Sequence, residues 1–165
     1  DGFDSNYNGT LEEDEEHNVK YYLNKNIHKR DFGWISKKQI PKNHDSIMVN
    51  KVLITAAYGG HKKVLGAPFT VKKNSTCSQT YLVIGYDPVR HNLNETQCKN
   101  IESYIRTKTF RYLVSIKKKT QNGPRDVYQF VPLQDFNEEW SDEKLFKKYS
   151  FKKSQIDLIN LVEEY

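Results

Sequence analysis

The stretch that most constrains the fold of this chain is residues 80–86, TYLVIGY, which an Asp-Pro pair ends. Aliphatic and aromatic side chains bounded by turn residues are typical of a β-strand. Leu82 and Ile84 alternate with Val83, so both faces of the strand are apolar. Because such a strand needs cover on each side, we expect it to lie buried inside a sheet.

Helices are predicted after this strand. Asn94 is a typical N-cap residue, and Gln97 stands where the partner in a capping box would lie. A second helical run follows within a few residues and is expected to stop at residues 122–124, Asn-Gly-Pro. Ser141 and Ser154 precede two further apolar-periodic segments and are predicted to cap them.

Further strands are predicted at residues 31–40, 46–56 and 127–133, where β-branched and aromatic residues lie between turn-forming ones. Together with the helices they predict an α+β fold, in which helices flank one mixed β-sheet. The chain has 165 residues and is 36% hydrophobic, so it can bury one ordinary core. A single folded domain is therefore expected.

Charge is distributed unevenly along the chain. Residues 1–16 contain seven acidic residues and no Lys or Arg, whereas residues 17–165 contain 26 basic and 14 acidic residues, a net charge of +12. We therefore interpret residues 1–27 as an acidic segment or linker and residues 28–165 as a basic domain. The acidic run is either a solvated face or a guard over the basic surface when no polyanion is bound.

Basic residues are concentrated in residues 99–125, which hold eight Lys or Arg and one acid, Glu102, interleaved with aromatic residues. This pattern indicates a surface that binds a DNA backbone through counterion release, although a solvated basic helix face is the alternative. The phosphate contacts predicted along the chain are Lys37, Lys38, Lys62, Lys63, Lys72, Lys73, Lys108, Arg111, Lys117, Lys118 and Lys119.

The polar loop at residues 120–125 is the predicted base-reading element. Gln121 and Asn122 carry amides that match the major-groove edge of adenine, and Arg125 can pair with guanine through two hydrogen bonds. A helix stop followed by a turn would explain the same sequence without DNA.

Three blocks of sequence follow one another along the chain. They are residues 31–43 with 51–60 (DFGWISKKQIPKN and KVLITAAYGG), residues 76–88 (TCSQTYLVIGYDP) and residues 106–149 (RTKTFRYLVSIKKKTQNGPRDVYQFVPLQDFNEEWSDEKLFKKY). These blocks resemble the C-terminal target-recognition domain of adenine-specific DNA methyltransferases, especially bifunctional type II restriction-modification enzymes. The resemblance runs from about residue 30 to the C-terminus, and its last block is the most specific.

The resemblance implies a bacterial, cytoplasmic specificity domain that binds double-stranded DNA. It also implies a partner, the methyltransferase catalytic domain of the same parent chain, which would flip the target adenine and use S-adenosylmethionine. A type II endonuclease is fused to that enzyme in some members of the family. The present chain would then be a piece of a longer polypeptide.

Catalytic motifs of that family do not occur in this sequence. It has neither a glycine-rich cofactor loop nor an Asp/Asn-Pro-Pro-Tyr/Phe tetrapeptide, and Gly59-Gly60 is its one glycine pair. The five histidines are scattered, and Cys77 and Cys98 have no partners at metal-ligand spacing. We therefore predict no catalytic, cofactor-binding or metal-binding residue here.

Two other classes of function are compatible with a basic, aromatic-rich chain. An RNA-binding or single-strand nucleic-acid-binding accessory domain is the main alternative, and a basic scaffold domain is the third. The sequence contains no apolar run of membrane-spanning length and no signal-peptide pattern, so no membrane partner is expected.

Overall fold

The computed structural model of the chain describes residues 3–24, 28–57, 64–120 and 122–162. It has the α+β architecture that the sequence predicts. The chain divides into two compact units instead of one. The first comprises Asp1–Leu53 and Thr70–Glu95, and the second comprises Ile54–Phe69 and Thr96–Tyr165.

Six strands lie in the described part of the chain: β1 (Val19–Tyr22), β2 (Phe32–Ile35), β3 (Lys51–Thr55), β4 (Phe69–Val71), β5 (Ser75–Cys77) and β6 (Tyr81–Ile84). They form two three-stranded sheets, where one had been expected. The first sheet is mixed and has the order β2-β1-β5, with β1 antiparallel to β2 and parallel to β5. The second sheet has the order β4-β3-β6.

Strand β1 organises the core of the first unit. Val19 and Tyr21 are buried while Lys20 and Tyr22 are half-buried, as the two-residue period of a strand requires. The buried cluster consists of Phe3, Val19, Tyr21, Leu23, Ile35, Ile40 and Ile47. Residues 1–27, predicted to be an acidic segment or linker, thus contribute a central strand and core side chains. The acidic residues 12–16 are exposed.

The central strand of the second sheet is β3, not the TYLVIGY strand β6. Residues 51–54 of β3 are all buried, whereas β6 is an edge strand in which Leu82, Val83 and Ile84 are only half-buried. The prediction of a fully buried β6 is therefore wrong. Apolar side chains on both faces predict a strand, but its place in the sheet depends on which other strands compete for the centre.

Four α-helices are described: α1 (Glu95–Arg106), α2 (Lys108–Lys117), α3 (Asp142–Lys148) and α4 (Lys153–Asn160). The Ser141 hydroxyl caps α3 as predicted, accepting a hydrogen bond from the Lys144 N–H at 3.4 Å. Helix α4 begins two residues earlier than predicted, because its N-cap is Lys152, whose N–H donates to the Gln155 side chain. Among the described residues, no helix has the length and apolar character needed to cross a bilayer.

Three short 3-10 helices replace parts of the predicted strands. They are Lys37–Gln39, His44–Met48 and Arg125–Tyr128. The strand predicted at residues 127–133 is absent because its backbone hydrogen bonds are local, such as the one from the Val131 N–H to the Tyr128 carbonyl at 3.0 Å. β-Branched and aromatic residues therefore mark this segment as partly buried without making it a strand.

The core of the second unit is built on α1 and α2. Tyr104 of α1 packs edge-on against Phe110 of α2, with ring centres 5.1 Å apart, and contacts Trp140 at 6.4 Å. Leu145 of α3 and Ile159 of α4 are buried as well. Because this packing fixes α1 and α2, it also fixes the basic residues that α2 carries.

Candidate nucleic-acid interface

Helix α2 carries three of the eleven predicted phosphate contacts, and its N-terminus is closed. The Thr107 hydroxyl caps the helix by accepting a hydrogen bond from the Phe110 N–H at 3.1 Å. The Asp142 carboxylate accepts from the Lys108 N–H at 2.9 Å and from the Thr109 N–H and hydroxyl at 2.8 and 2.6 Å. A helix N-terminus is an anion site, and here the protein's own carboxylate fills it. A phosphate would therefore have to bind elsewhere on α2.

The C-terminal end of α2 presents exposed cations. Lys117 ends the helix, and the Lys118 N–H caps it by donating to the Val114 carbonyl at 3.0 Å. Lys117 and Lys119 are exposed, and neither forms an ion pair with another described residue. Lys118 is partly buried, and this burial lowers the pKa of its ammonium. Of the three consecutive lysines, the outer two are thus the better placed to meet a phosphate.

Backbone contacts anchor the loop that is predicted to read bases. The Gly123 N–H donates to the Ala56 carbonyl at 2.7 Å, and Ala57 and Asn122 form an antiparallel bridge. Gly123 is buried, while Asn122 is exposed. Helix α2 ends at Lys117, so Asn-Gly-Pro at residues 122–124 does not stop it as expected. The segment is an anchored loop with an outward-facing amide.

Arg125 begins the 3-10 helix that follows the loop. This helix packs on α2, with the Tyr128 ring 6.2 Å from that of Phe110, and its Val127 is buried. Arg125 itself is exposed. We call Lys117, Lys119, Asn122 and Arg125 the α2 basic surface.

Arg111 does not belong to this surface, and its prediction as a phosphate contact is wrong. Its side chain is 1% exposed, and its Nε donates to the Thr107 carbonyl at 3.4 Å. The helical period turns residue 111 inward, toward the face that also buries Phe110 and Val114. Lys108, at the closed end of the helix, is half-buried.

The other predicted phosphate contacts lie in the first unit or outside the described residues. Lys37 and Lys38 are exposed on a 3-10 helix, beside an open depression that Glu15, Glu16 and His44 also line. Lys72 and Lys73 are exposed, and Lys72 forms an ion pair of 3.1 Å with Glu95. Lys62, Lys63 and Gln121 lie outside the described residues.

Sequence reasoning passed over three exposed residues of the second unit. Lys147 and Lys152 are exposed and form no ion pair with a described residue, and Phe130 is exposed beside Lys117. The lysines lie in a basic run, KLFKKYSFKK, that could have singled them out. No pattern in the sequence distinguishes the exposed Phe130 from the buried Phe110.

Neither a cluster of metal ligands nor a disulfide occurs among the described residues. They contain no group of three or more His, Cys, Asp or Glu side chains that could hold a metal ion. Cys77 and Cys98 are buried thiols that form no disulfide, and burial raises the pKa of Cys77 to about 11. Such a thiol stays protonated and is a poor nucleophile.

Comparison of the chain with protein-family models, curated proteins and solved structures finds no match.

Proposed function

We propose that this chain binds double-stranded DNA sequence-specifically, as the specificity domain of an adenine-specific DNA methyltransferase or a type II restriction-modification enzyme. The α2 basic surface would grip the backbone with Lys117 and Lys119 and read bases with Asn122 and Arg125. The catalytic domain of the parent chain would flip and methylate the adenine in the bacterial cytoplasm.

One observation carries the proposal, namely that the exposed cations at the end of α2 adjoin an anchored loop. A charge run held in surface ion pairs would be an ordinary solvated face, but Lys117, Lys119 and Arg125 have no such partner among the described residues. The backbone contacts of Gly123 and Asn122 with residues 56–57 fix the loop. An anchored polar loop beside cations that have no ion-pair partner is suited to bind DNA, because the cations can contact phosphates while the loop contacts bases.

In this proposal, S-adenosylmethionine belongs to the parent's catalytic domain. The chain supplies affinity and sequence preference, and no residue of it takes part in methyl transfer. Saturable binding of S-adenosylmethionine to the isolated chain in calorimetry would contradict this division of roles.

Duplex binding is tested by fluorescence anisotropy with labelled 20-base-pair DNA over a range of salt concentrations. We expect log Kobs to fall linearly with log[salt], with a slope of about −3 if three phosphates are contacted. Selection from a randomised duplex library should then enrich one short motif that contains adenine. Absence of duplex binding at low salt would refute the proposal. Duplex binding without enrichment of any motif would show that the chain binds DNA only non-specifically.

A single-strand or RNA-binding role is the second candidate, favoured by the outer face of the first sheet. There the Lys20 Nζ lies 3.8 Å from the centre of the Phe32 ring, and Phe32 meets Trp34 edge-on at 6.0 Å. Paired aromatic rings are the usual platform for unpaired bases. The Lys20 ammonium already covers one of these rings, which is why we place this role second. Tighter binding of single strands than of duplex in competition would reverse the order.

A further inference from the structure

Three apolar side chains are at least half exposed around the end of α2 and the turn after the last 3-10 helix. They are Ile116, Phe130 and Leu133. The Lys117 Nζ lies 5.7 Å from the centre of the Phe130 ring, which places this ring beside the α2 basic surface. Residues 117–130 include four cations and one acid, Asp126. The segment that leads to the ring is therefore net basic, which suits a polyanion.

Phe130 lies on a turn that is anchored on both sides. Before it, the 3-10 helix packs on α2, and its Val127 is buried. After it, the Pro132 carbonyl accepts hydrogen bonds from the Tyr104 hydroxyl at 2.8 Å and from the Gln134 Nε2 at 3.3 Å. Gln134 is buried and also donates to the Tyr149 hydroxyl at 2.8 Å. The backbone on both sides of Phe130 is thus held in place, and its ring is half exposed.

A fixed, exposed aromatic ring next to phosphate-binding cations can contact bases once the cations have positioned the backbone. Apolar side chains of DNA-binding proteins can insert between neighbouring base pairs and unstack them. We propose that Phe130 inserts against the bases of the bound duplex and unstacks one base step, while Lys117 contacts the adjacent phosphate. This inference rests on the proposed duplex binding and adds a contact that the charge pattern does not supply.

The test uses duplexes that contain 2-aminopurine, which fluoresces more strongly when it is unstacked. A set of duplexes that places the probe at each position of the selected motif locates the step. Binding of the wild-type chain should raise the fluorescence at one position. Phe130→Ala should abolish that rise and weaken duplex binding about tenfold, with an unchanged salt slope because the ring carries no charge. Phe130→Trp should restore both the fluorescence rise and the affinity for duplex.

Leu158→Ala is the matched control. Leu158 is also 50% exposed and belongs to the same unit, but its neighbour in the sequence is Asp157 and not a cation. This variant should leave both fluorescence and affinity unchanged. Thermal melting of all variants checks that the fold is intact, and a lowered midpoint for Phe130→Ala would assign a structural role to the ring and overturn the inference.

Three other results would each refute a different part of the inference. Unchanged fluorescence and affinity in Phe130→Ala would refute the insertion while leaving duplex binding intact. A loss confined to single-stranded DNA would make the ring a stacking platform for unpaired bases, which also refutes the inference. Failure of the wild-type chain to bind duplex would refute the proposed function itself, and the inference with it.

Discussion

The interior of the first unit and the α2 basic surface of the second use lysine in opposite ways. Lys51 is fully buried, and its Nζ donates to the carbonyls of Ser46 at 2.6 Å, Ser75 at 2.7 Å and Val49 at 3.4 Å. Lys117 is exposed, and its Nζ lies 5.7 Å from the centre of the Phe130 ring. The first lysine cross-links backbone segments, whereas the second remains accessible to a ligand.

Formal charge therefore overstates the number of cations that can contact DNA. Lys51 and Arg111 both add to the net charge of +12 in residues 17–165, and both are buried. Lys144 and Lys153 are exposed but form ion pairs of 3.0 and 3.1 Å with Glu138 and Asp157. The salt dependence of binding should therefore follow the exposed, unpaired cations and not the net charge.

The largest expected effect comes from removing the buried ammonium. Lys51→Met should lower the free energy of unfolding by about 3 kcal/mol, because it leaves buried carbonyls without a donor. Urea denaturation followed by circular dichroism measures this change. The control is Lys42→Met, an exposed lysine of the same unit, which should shift stability by less than about 0.5 kcal/mol. Equal stability of the two variants would show that the Lys51 contacts contribute nothing to folding.

Removing exposed cations should instead affect binding and not folding. The double variant Lys117→Ala with Lys119→Ala should weaken duplex binding about 30-fold at low salt and reduce the salt slope by about 2, because two phosphate contacts are lost. The matched control removes the ion-paired Lys144 and Lys153 and should change the slope by less than half as much. If the two double variants weaken binding equally, net charge governs affinity, and ion pairing of a lysine makes no difference to its contribution.

Within the α2 basic surface, base-reading residues should differ from phosphate-binding ones. Arg125→Ala should weaken binding to the preferred duplex about tenfold and relax preference at one base pair, with non-specific affinity almost unchanged. Asn122→Ala should relax preference at a different position. Competition among single-base variants of the selected site measures both. A uniform loss across all sequences would show that Arg125 is one more phosphate contact.

The last expected effect is absent at neutral pH and concerns alkaline stability of the first unit. Burial raises the pKa of Cys77 from 9.0 to about 11, so the unfolded chain loses this proton at a lower pH than the folded protein does. Stability conferred by the protonated thiol is complete below pH 9 and should decline by about 1 kcal/mol per pH unit between pH 9 and 11. Urea denaturation at several pH values should show a shallower decline for Cys77→Ala. Identical pH dependence in both proteins would contradict the assignment.

Local sequence signals predicted several elements well. Helix α1 follows Asn94, and α3 follows its cap Ser141, because capping depends on residues within one turn of the helix. The class of fold also followed from the mixture of strand and helix patterns. Sheet order did not, since β6 lies at an edge and β3 at the centre. Pairing between strands distant in sequence depends on competition that no short window contains.

Local sequence patterns were sufficient to predict the α+β class, the positions of the main helices and the concentration of basic residues before and within the loop at residues 120–125. Those features depend on neighbouring residues, whose propensities and charges act over a few positions. The burial of Lys51 and Arg111, the closing of the α2 N-terminus by Asp142 and the exposure of Phe130 depend instead on tertiary packing. A side chain's accessibility depends on which distant segments pack over it, and residue type alone does not specify that packing.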